Sequence, residues 1–437
     1  MTDQIAPASV ADRSPPPVSA VLAGTIGNML EFYDFITFAF FAVQIGRAFF
    51  PSHSQYASLM GALATFGAGF VTRPLGGIVI GLYSDRAGRK PAMLLSFTLM
   101  GCAIIVLALT PSYETIGIAA PIIAIAARMV QGFSLGGEVG PTTAYLLESA
   151  PPHRRGFAVS WQPASQEIAA TIGAVVGLVL TSSLSPEALD AYGWRVAFLI
   201  GALTLPFGLW MRTRMPESMH LSEEATPAHV VVADGAASSV WRAHSRVFLL
   251  GLLILASGTI ATYVTKYMTT YAETTLQVAP SLAFAASVAG NAMGFAGALL
   301  GGWLADRYGR RPLMVWPQLA ALLLTYPVFL WIVETKSSAA LLGGFGVLSL
   351  IGTIPYTAFY AAMTESLPKR IRGGAFAILY AVAIASFGGT TQLVVTWLLH
   401  STGNALAPAW YLLLSGAIGL VAMMLMRETA PDRGSVH

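Results

Sequence analysis

Gly81-Leu82-Tyr83-Ser84-Asp85-Arg86-Ala87-Gly88-Arg89-Lys90 is a short charged break between two long apolar runs. It recurs half a chain later as Gly302-Trp303-Leu304-Ala305-Asp306-Arg307-Tyr308-Gly309-Arg310-Arg311. A second echo keeps nearly the same spacing: Glu148-Ser149 followed by Arg155-Gly156, and Glu365-Ser366 followed by Arg372-Gly373. A repeat of this period means two similar halves. In each loop, Gly permits a tight turn and the cations hold the connection on one side of a membrane. The aspartate is placed to cap a neighbouring helix, or to pair with an arginine across the boundary between halves. Such a contact must break when the halves rock, so Asp85, Arg86, Arg89, Asp306, Arg307 and Arg310 are gating candidates. Topology anchoring alone is the bland alternative for a single copy, and two copies half a chain apart argue against it.

Working outward, the chain is 437 residues, 55% hydrophobic and 10% charged, with a mean hydropathy of +0.66. Soluble domains carry about a quarter charged residues, so this chain cannot cover a water-facing surface. Its apolar residues fall in runs of roughly 20 or more, the length that crosses a hydrocarbon core. Cys102 is the single cysteine; it lies in an apolar run, where it is expected to pack. The seven histidines sit in or beside polar connections at no ligand spacing. No disulfide, metal site, resident cofactor or enzymatic activity is expected.

The apolar runs give twelve spans, at roughly 18–45, 57–83, 91–111, 116–147, 157–181 and 194–213, then 247–271, 281–305, 312–333, 338–364, 373–398 and 406–426. Of the 24 Lys and Arg residues, Arg47, Arg195 and Lys336 fall outside if both termini are cytoplasmic. Arg73, Arg128 and Lys266 lie within spans, and all the others fall inside. The positive-inside rule is obeyed, and cations distributed by loop topology exclude nucleic-acid binding. The expected fold is all-α: a cytoplasmic tail at 1–17, a six-helix bundle at 18–213, a cytoplasmic linker at 214–246, a second bundle at 247–427 and a tail at 428–437. Residues 1–17 are Pro-rich and lack the basic start and cleavage site of a signal peptide.

Charged side chains inside spans are costly, and so are functional candidates. On the first span Gly24, Gly27, Asn28, Glu31 and Asp34 step along a single helical face. Arg128, Gln131 and Glu138 share a face of the fourth, and Gln162 and Gln166 one of the fifth. Thr259, Thr262, Tyr263, Lys266 and Thr270 form the polar face of the seventh. Asn291, Gln392, Tyr356 and Tyr360 are candidate contacts from the second half, each equally readable as a helix–helix hydrogen bond.

These segments resemble the major facilitator superfamily, whose signature loop both charged breaks match. A narrower likeness is to the metabolite:proton symporter family. It rests on Gly27-Asn28-Met29-Leu30-Glu31-Phe32-Tyr33-Asp34-Phe35, on Arg73-Pro74-Leu75-Gly76-Gly77, and on Arg128-Met129-Val130-Gln131-Gly132-Phe133-Ser134-Leu135-Gly136-Gly137-Glu138. Other pieces look most like the citrate and tricarballylate carriers of that family: Phe49-Phe50-Pro51-Ser52 with Ser58-Leu59-Met60, Ser160-Trp161-Gln162 with Ser165-Gln166, and Phe387-Gly388-Gly389. The resemblance implies that the first, fourth and seventh helices line one central cavity. It implies proton symport of a small organic anion across the bacterial inner membrane, by a protein expected to be monomeric with lipid around it.

A carboxylate substrate needs cations, and Arg73, Arg128 and Lys266 supply them; an arginine fork also fits a carboxylate bidentately. Asn28, Gln131, Gln162, Gln166, Tyr356 and Gln392 complete the expected substrate contacts. Proton coupling needs a carboxylate, and Asp34, Glu31 and Glu138 are the candidates. Asp34 is expected to pair with Arg128 or Arg73 until protonation frees the arginine. A permanent ion pair that only joins helices is the alternative. Glu167 and Glu138 can equally be structural, and Arg73-Pro74 can be a kink. Sodium is the other coupling ion to weigh, with Asn28 and Glu31 as ligands. Lys266 departs from the citrate-type carriers, where this position is usually uncharged. It can bind a further carboxylate, replace a bound cation, or snorkel outward. The competing functions are symport of a zwitterionic osmolyte such as betaine or proline, and export of an anion or drug.

Overall fold

The computed structural model describes residues 18–87, 89–136, 143, 146–148, 150–214, 245–368 and 372–430, and these are helical almost throughout. Helices form because hydrocarbon offers the backbone no partners, so each apolar segment must satisfy its own N–H and C=O groups. The expected first span divides at Phe41 into α1 (Val18–Phe40) and α2 (Ala42–Phe49). The second divides at Thr72 into α3 (Gln55–Val71) and α4 (Arg73–Ala87). Pro74, which follows at once, cannot donate the hydrogen bond that would continue α3. The Thr72 hydroxyl donates to the Met129 carbonyl at 2.6 Å.

The longer helices that follow are α5 (Arg89–Leu109), α6 (Ala119–Ser134), α7 (Arg155–Ser183), α8 (Trp194–Arg214), α9 (Ser245–Thr274), α10 (Pro280–Tyr308), α11 (Arg310–Thr335) and α12 (Ser338–Glu365). After them come α13 (Arg372–Ala383) and α14 (Gly389–Thr402), joined by a wide π turn over Ile384–Gly388, and α15 (Ala407–Leu425). Among the described residues, eight helices are long and apolar enough to cross a bilayer, and Leu94–Leu109 and Ala119–Ser134 are shorter apolar ones.

The outer surface is apolar. Leu203 is 75% and Leu323 69% exposed, a surface suited to lipid tails and not to water. Cys102 belongs to this exterior, which corrects the expectation that it packs inside. The helices approach one another where side chains are small, as expected without a hydrophobic force between helices in lipid. Gly156 on α7 meets Gly302 on α10, and Gly67 on α3 meets Gly389 on α14. Gly69 on α3 also meets Gly132 on α6, and a buried group of charges lies where α1, α4 and α6 come together.

Candidate functional site

Arg128, on α6, is fully buried. Its guanidinium carbon lies 4.4 Å from the ring centre of Phe35, 4.5 Å from Phe38 and 5.2 Å from Phe66. Arg73, at the start of α4, lies 4.5 Å from the same Phe35 and 4.9 Å from Phe70. Two cations thus share one aromatic ring, and a cation–π contact stabilises each by about 0.5–2 kcal/mol. The hydrogen bonding is incomplete. Arg128 Nη1 donates to Gln131 Oε1 at 2.6 Å, whereas Nε and Nη2 of both arginines have no hydrogen-bond partner. Each unsatisfied buried donor costs about 1–3 kcal/mol. An anion with planar acceptor oxygens would satisfy these donors in pairs.

Asp34, on α1, is also buried and interacts electrostatically with Arg128. Its Oδ1 has no hydrogen-bond partner and packs against Gly201 of α8. The expected pairing of Asp34 with an arginine therefore takes the form of a neighbouring charge, with Oδ1 and the free arginine donors left unjoined. Tyr263 of α9 closes the group, 5.2 Å from Phe70 and 6.0 Å from Phe66 between ring centres.

The expected polar contacts divide. Asn28 Nδ2 donates to Ser165 Oγ at 2.6 Å and to Gln162 Oε1 at 3.1 Å, which ties α1 to α7. Nε2 of Gln131 and Gln162, and both amide atoms of Gln392, have no hydrogen-bond partner, and Gln166 lies against the Tyr380 hydroxyl. Tyr356 hydrogen bonds with Ser257 at 2.9 Å. Lys266 neither snorkels nor stands free. Its ammonium donates to Glu167 Oε2 at 2.8 Å and to Asn291 Oδ1. Gln166, Glu167, Tyr263, Lys266, Tyr356 and Tyr360 help to line a cavity of about 60 Å³. A larger recess of about 340 Å³ beside α2, lined in part by Arg47, His53 and Ser58, contains none of this cluster. The side chains of Glu31, Asp85 and Arg89, and the whole of Glu138, lie outside the described residues.

Of the gating candidates, Asp306 makes the contact across helices. Its Oδ1 and Oδ2 accept the backbone N–H groups of Gly156 and Phe157 at 2.7 and 2.8 Å, and so cap the first turn of α7. Arg310 is buried and pairs with Asp306 at 3.1 Å and Glu365 at 3.0 Å. Arg307 lies against Trp303 and Tyr308, and Arg86 is exposed. Glu148 and Arg372, the second echo of the repeat, approach to 3.6 Å.

Sequence reasoning did not single out Phe35, Phe38, Phe66 and Phe70, because a phenylalanine in an apolar span reads as packing. Their helical spacing, at 35 and 38 and at 66 and 70, was the available signal. Asn291 and Glu167 were named, but nothing in the order of residues joined them to Lys266.

A helical fold of membrane-spanning length that buries paired cations and a carboxylate among its helices is the architecture of a membrane transporter. The chain belongs to the major facilitator superfamily, whose family model matches residues 24–299. It is 35% identical to a citrate-proton symporter of Klebsiella pneumoniae, over 93% of this chain and 90% of that one. It is 32% identical to the alpha-ketoglutarate permease of Escherichia coli, over 94% of both chains. Identity to the proline/betaine transporter of that species is 31%, over 94% of this chain and 83% of the other. A solved D-xylose-proton symporter covers 95% of this chain and 99% of its own with a TM-score of 0.75, at 18% identity. That likeness bears on the fold alone.

Proposed function

We propose that this protein is a proton-coupled symporter for a small organic anion, a tri- or dicarboxylate such as citrate, working by alternating access. The observation that carries the reading is the pair of buried arginines stacked on Phe35, with Nε and Nη2 of each free to receive a carboxylate. The relatives named for citrate and for alpha-ketoglutarate, both carboxylate anions, support it.

In this account twelve spans form two six-helix bundles, over 18–213 and 247–427, joined by a cytoplasmic linker. Both termini are cytoplasmic, and the monomer resides in the inner membrane. Arg128 and Arg73 bind substrate carboxylates, with Gln131 orienting Arg128. Asp34 carries a proton and so alters the field at Arg128. Asp306 on Gly156 and Phe157, with Glu148 near Arg372, closes the cytoplasmic side and parts when the bundles rock. Coupling is required by energetics. Bringing a trianion into a cell at about −100 mV costs roughly 7 kcal/mol, which co-transported protons offset. The relatives' names favour protons over sodium.

The zwitterion reading has a relative named for proline and betaine and an aromatic cluster in its favour. Yet the ring faces that would cage a quaternary ammonium are already covered by guanidinium groups. The test is uptake into proteoliposomes of labelled citrate, alpha-ketoglutarate and glycine betaine in parallel. Accumulation of a carboxylate and not of betaine is expected; betaine alone would overturn the substrate class.

A further inference from the structure

Lys266 on α9 and Glu167 on α7 form an ion pair with side chains only 3% and 14% exposed. Asn291 on α10 accepts a second hydrogen bond from the same ammonium. Gly294, one turn along α10, leaves room for the carboxylate, since a Cβ there would lie 3.0 Å from Glu167 Oε2. The pair borders the 60 Å³ cavity, which Gln166 also lines. The Arg73–Arg128 cluster does not involve this pair. Stability is a weak reason for it, because desolvating two charges costs about what their attraction returns.

A carboxylate resting on a buried ammonium at the edge of a cavity is the chemical image of a bound organic acid. We propose that Glu167 is an internal stand-in for a substrate carboxylate: it occupies Lys266 until the ligand arrives, then takes up a proton and yields the ammonium. This rests on the anion-symport reading above and adds to it a second proton-carrying group and a third cationic subsite. The cavity of about 60 Å³ is small while Glu167 holds its place, and the room a ligand carboxylate would take is the one Glu167 fills.

Two carboxylates cannot both remain charged on one ammonium in a buried site, so ligand entry and protonation of Glu167 favour each other. That reciprocity is the thermodynamic content of symport. Among the described groups facing Glu167, Lys266 is the charged one. Tyr263 on α9, Tyr356 and Tyr360 on α12 and Tyr380 on α13 are the titratable phenols around the same cavity, and α1 contributes the neutral Phe32 and Ile36. The proton therefore comes from solution and stays on Glu167 until the ligand leaves.

The test is citrate binding to the full-length, detergent-solubilised protein, comparing wild type with Glu167→Gln. Wild type is expected to bind about tenfold more tightly at about pH 5.5 than at about pH 7.5. The variant is expected to bind more tightly than wild type at about pH 7.5 and to lose the share of the pH dependence that Glu167 carries, keeping only the share that belongs to Asp34. A second measurement does not depend on the variant's folding: proton uptake from weak buffer when wild type binds citrate near pH 7. Net uptake is expected, and its absence overturns the proposal. So does a Glu167→Gln protein whose affinity keeps the wild-type pH dependence. Failure of wild type to bind citrate or alpha-ketoglutarate at either pH would overturn the anion reading and this inference together, a result distinct from citrate binding that ignores Glu167.

Discussion

Asp34 Oδ1 packs directly against the α-carbon of Gly201, so that a single methyl group there would overlap the carboxylate. The glycine belongs to α8 and the aspartate to α1, whose Tyr33 hydroxyl also donates to the Ala197 carbonyl at 3.0 Å. Gly201→Ala must therefore push Asp34 away from its present place near Arg128. Overpacking of this kind costs about 1–3 kcal/mol. Proton-driven uptake is expected to fall by about tenfold or more while the protein still reaches the membrane. Equal initial rates for Gly201→Ala and wild type would show that the position of Asp34 is immaterial.

Arg128 is held by three rings and one amide, an arrangement that fits a planar fork and not a lysine. Arg128→Lys keeps the charge and loses the two free, parallel donors. Citrate affinity is expected to drop about 10- to 100-fold, the value of a charge-assisted bidentate contact. Binding within twofold of wild type would mean that charge alone suffices. The same titration with Arg73→Lys assigns the second arginine.

Asp306 holds the α7 N-terminus through two backbone N–H groups. Asp306→Asn keeps the size, removes the negative charge from the helix end, and is expected to weaken this closure by about 1–2 kcal/mol. A cysteine introduced at Ser160, next to Gly302 in the same contact, should then react faster with a cytoplasmic-side thiol reagent. Unchanged labelling would show that Asp306 does not hold the closure.

Glu428 lies beyond the last span and receives the N–H groups of Arg310 and Arg311 at 2.9 and 3.0 Å. Burial alone would raise its carboxyl, but hydrogen bonds from the backbone of Ala430, Arg310, Arg311 and Thr429 outweigh it and hold it below the usual glutamate value of 4.5. A carboxyl depressed in the folded state adds stability above its unfolded value, and that stability is lost as pH falls through the folded one. Glu428→Gln should therefore unfold more easily than wild type at neutral pH, by about 1 kcal/mol. The gap should narrow as the pH falls below 4.5 and through the folded-state value beneath it. A gap that persists in acid would mean that the lost contact is one of shape and not of charge.

Much of this was legible because a membrane makes sequence unusually explicit. The runs that became α9 to α12 are bounded by breaks that carry charges or a proline, and any ionisable residue within a run stands out. Arg73, Arg128, Asp34 and Lys266 were visible for that reason, and all four are buried. The repeated loop also pointed to a cap across helices, which Asp306 makes. The partnerships were not legible. Lys266, Glu167 and Asn291 sit on three helices, and only helix packing sets which two acceptors the ammonium meets. The phenylalanines around the arginines carry no polar mark, and Gly201 matters only because Asp34 faces it. The breaks at Phe41 and over Ile384–Gly388 leave no mark in the apolar periodicity.

The central claim is that a proton gradient drives an organic anion through the Asp34–Arg128 site. The most direct measurement is labelled citrate uptake into proteoliposomes at an outside pH of about 5.5 and about 7.5, with and without an imposed proton gradient. Wild type is to be compared with Arg128→Ala and Asp34→Asn. The account predicts accumulation above equilibrium only with the gradient, abolished in Arg128→Ala and uncoupled from the gradient in Asp34→Asn. Gradient-driven accumulation that survives both substitutions would contradict it.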